Sequence, residues 1–287
     1  MFPATAQMHG NAPRRSVNGR CAVRPTYLPS RAQTPVATGW CPSRRLSKVR
    51  DVAPNRAAAE PAGRGRAVWP AAAAGYVLLA CFLTWPLVLH LRTHLIGDPS
   101  GDLGNYVWNF WVFRHELIRH GHLPFSTGHV LAYAGGTDFS LHNYAPLAGA
   151  LGLPLIGTLG VVGAFNVVLI SCIALSGQGA FVLAKRLGVG SAAAWWAGAL
   201  FMASPVLTAK ETAHFSLVIA ASLPLFLWAL LRTLDTGRKR DAVLLGAIVA
   251  VASYSDAYYG IYCATMGAFI VVWRFSRMEW LGPSSRS

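Results

Sequence analysis

Between Asp138 and Lys185 the chain carries no Asp, Glu, Lys or Arg, a charge-free run from Phe139 to Ala184. A helix crossing a bilayer core of roughly 30 Å needs about 20 apolar residues, so this one run is long enough for two insertions. A second run, Val68 to Leu91, offers 24 uncharged residues, about 36 Å of helix at ~1.5 Å per residue. The whole chain is 54% hydrophobic and 13% charged with mean hydropathy +0.40, against roughly 25% charged residues in an ordinary soluble domain. The expected fold class is an all-α polytopic membrane protein.

Charge asymmetry orders the spans. Arg64 and Arg66 precede the first run, and Lys185, Arg186, Arg232, Arg238, Lys239, Arg240, Arg274 and Arg277 follow or separate the later ones. Basic residues favour the cytoplasmic side, which puts the N-terminus inside, residues 92–143 in an outer loop and residues 232–241 in an inner loop. About six spans follow within a membrane domain of residues 67–278. One full span covers roughly 163–184. Residues 145–160, interrupted by Pro154 and several glycines, are expected to form a re-entrant or interfacial helix, because a crossing there would push Lys185 and Arg186 outside. Residues 279–287 form a short tail.

Residues 1–66 hold twelve Lys/Arg against only Asp51 and Glu60, so they contribute +10 of the net +14. Rich in Pro, Arg, Ala and Ser and lacking a sustained apolar period, they are expected to be a disordered basic cytoplasmic tail. Recognition motifs and aromatic interleaving are missing there, so no specific nucleic-acid partner is expected. The five cysteines show no metal-ligand spacing and three sit in apolar runs, which excludes a disulfide framework or a zinc site as the organising principle.

With this topology Asp98, Asp102, His142, Lys210, Glu211, His214 and Asp256 share the outer face. The loop at 92–143 is far longer than the other outer connections, and loops of that length are usually functional or locally folded. Within it "NYVWNFWVFRHELIRH" (105–120) reads as a short interfacial helix, with Trp108, Trp111, Phe113 and Leu117 toward the boundary and Arg114, Glu116 and Arg119 toward water. Asp98 before Pro99 suits a helix cap. The chemical alternative is that Asp98 and Asp102 converge on a site where one carboxylate accepts a proton from an acceptor hydroxyl and the other orders a polar group. Oxygen ligands of this kind suit Mg²⁺ or Mn²⁺.

The order of one span, an acidic motif in a large first outer loop with aromatic interfacial helices, and then alternating spans resembles the GT-C superfamily of polytopic glycosyltransferases. "GDPSGDLGNYVWNFWVFRHEL", "GHLPFSTGHVLAYAGGTDFSLHN" and "AHFSLVIAASLPLFLWALLR" are similar to stretches of bacterial membrane proteins related to that superfamily, over roughly residues 68–278. The resemblance implies a GT-C-like N-terminal transmembrane region in the bacterial cytoplasmic membrane. It implies transfer of a sugar from a polyprenyl-phosphate donor to a glycan, protein or lipid acceptor at the outer face, with membrane lipid as the surrounding partner. Asp98 or Asp102 falls at the superfamily's catalytic acidic motif, and His214 matches a histidine at an outer helix end. Arg114, Arg119 and Lys210 are candidates to neutralise the departing phosphate, with His142, Glu211 and Asp256 as further substrate-binding candidates. "YAGGTD" (133–138) departs from the pattern, with Ala134 where proline is expected, and the short C-terminus is expected of a truncated member. The competing expectations are a membrane transporter and a non-enzymatic structural or truncated membrane protein.

Overall fold

The computed structural model describes residues 62–97, 101–128, 130, 136–139 and 144–280. Two of the residues singled out above, Asp98 and His142, lie outside the described residues, as does the basic segment up to residue 61.

The described chain is an all-α domain. Its helices are α1 (Ala62–Leu83), α2 (Leu103–Arg114), α3 (Pro146–Arg186), α4 (Ser191–Met202), α5 (Pro205–Glu211), α6 (Ser222–Thr236), α7 (Lys239–Ser255) and α8 (Ala257–Trp280). Short 3₁₀ turns occupy Leu87–Leu89 and Phe215–Val218, and a π-helical turn, His115–His120, continues α2. The only extended pairing among the described residues joins β1 (Ser126–Thr127) to β2 (Thr137–Asp138), antiparallel, with Ser126 opposite Asp138.

Helix α3 is the centre, packed against α1, α2, α4 and α6, while α6, α7 and α8 pack on one another. It is long and apolar enough to cross a membrane, and the pair α4–α5 is so only when taken together across a 45° bend. That bend falls at Ser204–Pro205, where proline opens α5 as its first residue and Ser204 is extended, the conformation that a following proline favours. Inside α3, Gly160 breaks the helical path at φ 75°, ψ 174°, a conformation that only glycine adopts without strain. Residues 146–159 and 161–186 are thus two helical pieces.

Helix α1 ends at Leu83, short of the Leu91 expected from the uncharged run. The chain there meets Trp85–Pro86, and a residue before proline is driven out of the α region. The 105–120 helix starts two residues early, at Leu103, and buries a stripe of Leu103, Tyr106, Phe110 and Phe113 at the three- and four-residue spacing of an amphipathic helix. The stripe fits α3 because Gly149 and Gly152 leave room: a Cβ on Gly149 would lie 2.6 Å from the Phe113 ring, and one on Gly152 would overlap the Phe110 ring. Arg114 and Arg119 are exposed, but Glu116, expected to face water, is fully buried. The π turn, bonded i to i+5 instead of i to i+4, rotates it inward, where it accepts the Thr127 hydroxyl at 2.6 Å.

Large apolar side chains cover the outside. Leu78, Phe82, Leu200, Val243 and Phe269 are each at least 70% exposed. At one end of the bundle the termini of α3, α6, α7 and α8 meet through ion pairs. Asp235 receives Arg186 at 2.5 Å and Arg274 at 2.9 Å, and Asp241 receives Arg232 at 2.9 Å and the Thr236 hydroxyl at 2.6 Å.

Candidate functional site

Asn166 lies in the middle of the charge-free run and is fully buried. A buried amide must find hydrogen bonds, and its Nδ2 donates to the carbonyls of Leu91 and His94, both at 2.8 Å. This fastens the loop leaving α1 to α3. The loop then passes Gly97, whose φ of 97° places it against Thr212, and after the undescribed residues 98–100 it re-emerges at Asp102, the residue that precedes α2.

The second strand of the site is the turn from α5 to α6. Phe215 is fully buried and its ring packs against Phe165 at 4.7 Å, Tyr106 at 5.5 Å and Phe110 at 6.3 Å between centroids. Ser216 shares a hydrogen bond with the Tyr106 hydroxyl at 3.1 Å, and the Val218 carbonyl accepts the Ser176 hydroxyl of α3 at 3.3 Å. On the α8 side, the Tyr259 hydroxyl donates to the Leu217 carbonyl. With α2, α3 and α8 all holding residues 215–218, the neighbouring His214 has a fixed backbone, its N–H donating to Lys210 at 2.9 Å.

These two strands bring together Asp102 and His214, 112 positions apart in the chain: Oδ2 to Nδ1 is 3.6 Å, with both side chains a little under half exposed. That is too long for a hydrogen bond, and an exposed pair of this kind contributes at most about 1 kcal/mol to folding. Asp102 stands before the first turn of α2 yet makes no side-chain cap. Its carboxylate is turned to His214 while the positive end of the helix dipole lies behind it.

One helical turn before His214, Glu211 closes α5 and is 3% exposed. Its Oε1 has no hydrogen-bond partner, and burial pushes its carboxyl up to about 7. A carboxyl near that value is shared between acid and carboxylate at neutral pH, which suits either direction of proton transfer. Lys210 is half-buried beside it.

The other sequence candidates lie elsewhere. Arg114 and Arg119 are at the far end of α2, whose twelve residues span about 18 Å at ~1.5 Å each. There they line a separate cavity of about 320 Å³ with Trp111, His115 and Ile118. Asp256 caps α8, its Oδ1 accepting the Tyr258 N–H at 2.8 Å. Among the described residues no group of three or more His, Cys, Asp or Glu is placed to hold a metal. Asp102 would offer Mg²⁺ or Mn²⁺ a carboxylate oxygen, Asp98 lies outside the described residues, and no chemical step here is routed through a metal.

Sequence reasoning missed Asn166, Tyr106, Ser216 and Tyr259, which position the site. Asn166 had a readable signal, as an amide inside a run otherwise fit for burial. The three hydroxyls had none, since their partners are tens of residues distant.

Residues 72–283 match a protein family described as a domain of unknown function, DUF6311, and the chain belongs to that family. No curated protein matches the chain, and no solved structure does.

Proposed function

We propose that this DUF6311 protein is a polytopic protein of the bacterial cytoplasmic membrane, and that it moves a sugar from a polyprenyl-phosphate donor to an acceptor hydroxyl at the outer face, as a GT-C-type glycosyltransferase. The observation that carries this reading is the meeting of Asp102 and His214 at 3.6 Å, and Glu211, three residues before His214 in the chain, adds a buried carboxyl with one oxygen unpartnered. Structural ion pairs close up and saturate, whereas perturbed and under-satisfied acids gather at reactive sites. The membrane part is supported by the exposed Leu, Val and Phe side chains of α1, α4, α7 and α8, since lipid-facing helices present large apolar side chains outward. It is supported also by the gathering of Arg186, Arg232 and Arg274 at one end, the end assigned to the cytoplasm.

In the proposed reaction the acceptor oxygen forms a bond to the anomeric carbon as that carbon's bond to the phosphate oxygen breaks. The electron pair leaves with the polyprenyl phosphate, and the acceptor's proton passes to the Asp102 carboxylate. Lys210 and His214 supply donors to the growing phosphate charge. Protonated Glu211 adds a neutral donor that does not repel that charge. Asp98 shares the acidic motif with Asp102 and is assigned the second carboxylate role.

A transporter is the second reading, favoured by the 45° bend between α4 and α5 with buried Glu211 at its end, because interrupted helices and buried ionisable groups line transport routes. The deciding experiment reconstitutes the full chain in lipid with a panel of polyprenyl-phosphate sugars and outer-surface acceptors. Transfer by the wild type that is lost in Asp102→Asn and Asp98→Asn supports the transferase. Equal transfer in wild type and the double aspartate variant removes the assignment, and solute uptake sensitive to Glu211→Gln without any transfer establishes the transporter instead.

A further inference from the structure

The π turn that follows α2 builds a second polar site, remote from Asp102. In an α-helix His115 would sit above Arg119. The five-residue ladder of the π turn instead sets His115 over His120, with their Nε2 atoms 3.2 Å apart. Trp111 lies one turn earlier and stacks on the His115 ring at 4.8 Å and 19°. The same rotation takes Glu116 into the interior, onto Thr127. The outcome is a cavity of about 320 Å³ walled by Trp111, Arg114, His115, Ile118 and Arg119, with two guanidiniums and no carboxylate in its lining. Its volume falls at the lower end of the range for small-ligand sites, about 300–1,000 Å³. Turns of the π type recur at functional sites.

From this arrangement we propose that the Trp111–Arg119 pocket is an anion site that binds a phosphate ester, independently of any transfer at Asp102. Arginine's planar fork matches paired phosphate oxygens, and His115 is the one imidazole in the lining. The C-terminal end of α2 places about half a negative charge behind the pocket, a repulsion that the two guanidiniums outweigh about fourfold. Among the described residues no group of three or more His, Cys, Asp or Glu is placed there to hold a metal, and the charged side chains that line the pocket are both arginines. Trp111 is 40% and Ile118 61% exposed, so the phosphate is held beside apolar surface, which favours a lipid phosphodiester over a soluble phosphate.

Native mass spectrometry of the purified full chain in detergent tests this with phosphatidylglycerol, phosphatidylcholine and inorganic phosphate as probes. Phosphatidylglycerol is expected to be retained over phosphatidylcholine, whose choline offsets the phosphate charge. Arg114→Gln with Arg119→Gln is expected to lower retention about tenfold or more, because the charge-assisted bonds to the phosphate are lost. Lys239→Gln with Arg240→Gln removes the same net charge from exposed positions at the start of α7 and is expected to leave retention unchanged. Arg114→Lys with Arg119→Lys keeps the charge, loses the fork and is expected to fall between, and it decides the matter if the glutamine variant fails to fold. Displacement of phosphatidylglycerol by inorganic phosphate supports a site that reads phosphate from either source, and resistance to displacement supports the lipid. Retention that is unchanged in the glutamine variant, or lost equally in the Lys239/Arg240 control, overturns the proposal.

Discussion

The two ends of the bundle handle acidic side chains in opposite ways. At the end where α3, α6, α7 and α8 meet, Asp235 is bridged by Arg186 and Arg274. Asp241 is held below the ordinary carboxylate range by the Thr236 hydroxyl and by Arg232, against the cost of its burial. At the α2 end Asp102 stands 3.6 Å from an imidazole, and buried Glu211 has an oxygen with no partner and a carboxyl pushed up to about 7. Asp235 and Asp241 are bridged by arginines from neighbouring helices, whereas the proposed transfer draws on Asp102 and Glu211, which no arginine bridges.

The largest expected effect falls on activity. Asp102→Asn is expected to lower sugar transfer about 10²–10⁴-fold, the usual contribution of a general base, with abundance and thermal midpoint unchanged because its pair is exposed and weak. The matching change at the basic end, Asp241→Asn, is expected to do the reverse, lowering the midpoint in detergent while sparing transfer per folded molecule. If both variants lose transfer alike, the contrast between the ends fails.

Next comes the floor under the site. Gly152→Leu drives a side chain into Phe110 and is expected to cost about 1–3 kcal/mol by overpacking, measured as a lowered midpoint, because α2 and the Asp102 it carries must shift. Asn166→Leu removes two carbonyl partners of the 91–94 loop and is expected to cost about 1–3 kcal/mol for the orphaned groups.

The two ends also differ in the sign of their pH dependence. Glu211, raised when folded, binds more protons in the native state than when unfolded, so its contribution makes stability fall as pH rises from the ordinary carboxylate range through about 7. Asp241, lowered when folded, contributes stability above the ordinary carboxylate value that is lost as pH falls through its folded value. Thermal midpoints of Glu211→Gln and wild type are expected to coincide near pH 4 and to separate at pH 8, with the variant higher. A variant that is lower at pH 8 would mean that Glu211 has a stabilising partner. His214→Ala is the smallest effect, a reduction of transfer less severe than that of Asp102→Asn.

Much of the helical framework was legible because hydrophobic runs and basic stops are written locally. Where it was misread, a short-range rule was responsible: Trp85–Pro86 ends α1 inside an uncharged run, and the π turn carries Glu116 inward against an α-helical count. Asp102, Glu211 and His214 stood out as scarce charges, but their grouping was not legible. It depends on Phe215 seating between α2 and α3 and on Asn166 gripping the 91–94 loop, contacts made across as many as 110 residues, as between Tyr106 and Ser216. Arg114 and Arg119 were grouped with them as charges suited to a departing phosphate, and the length of α2 sets them apart from Asp102.

The central claim is that the Asp102 end faces outward and the Arg232–Asp241 end inward. Single cysteines at Gly104, where an added side chain meets open space, and at exposed Lys239, in a background without native thiols, read this directly with a membrane-impermeant maleimide on intact cells. Labelling is expected at 104 in intact cells, and at 239 only after the membrane is permeabilised. Labelling at 239 from outside, with 104 protected, would contradict it.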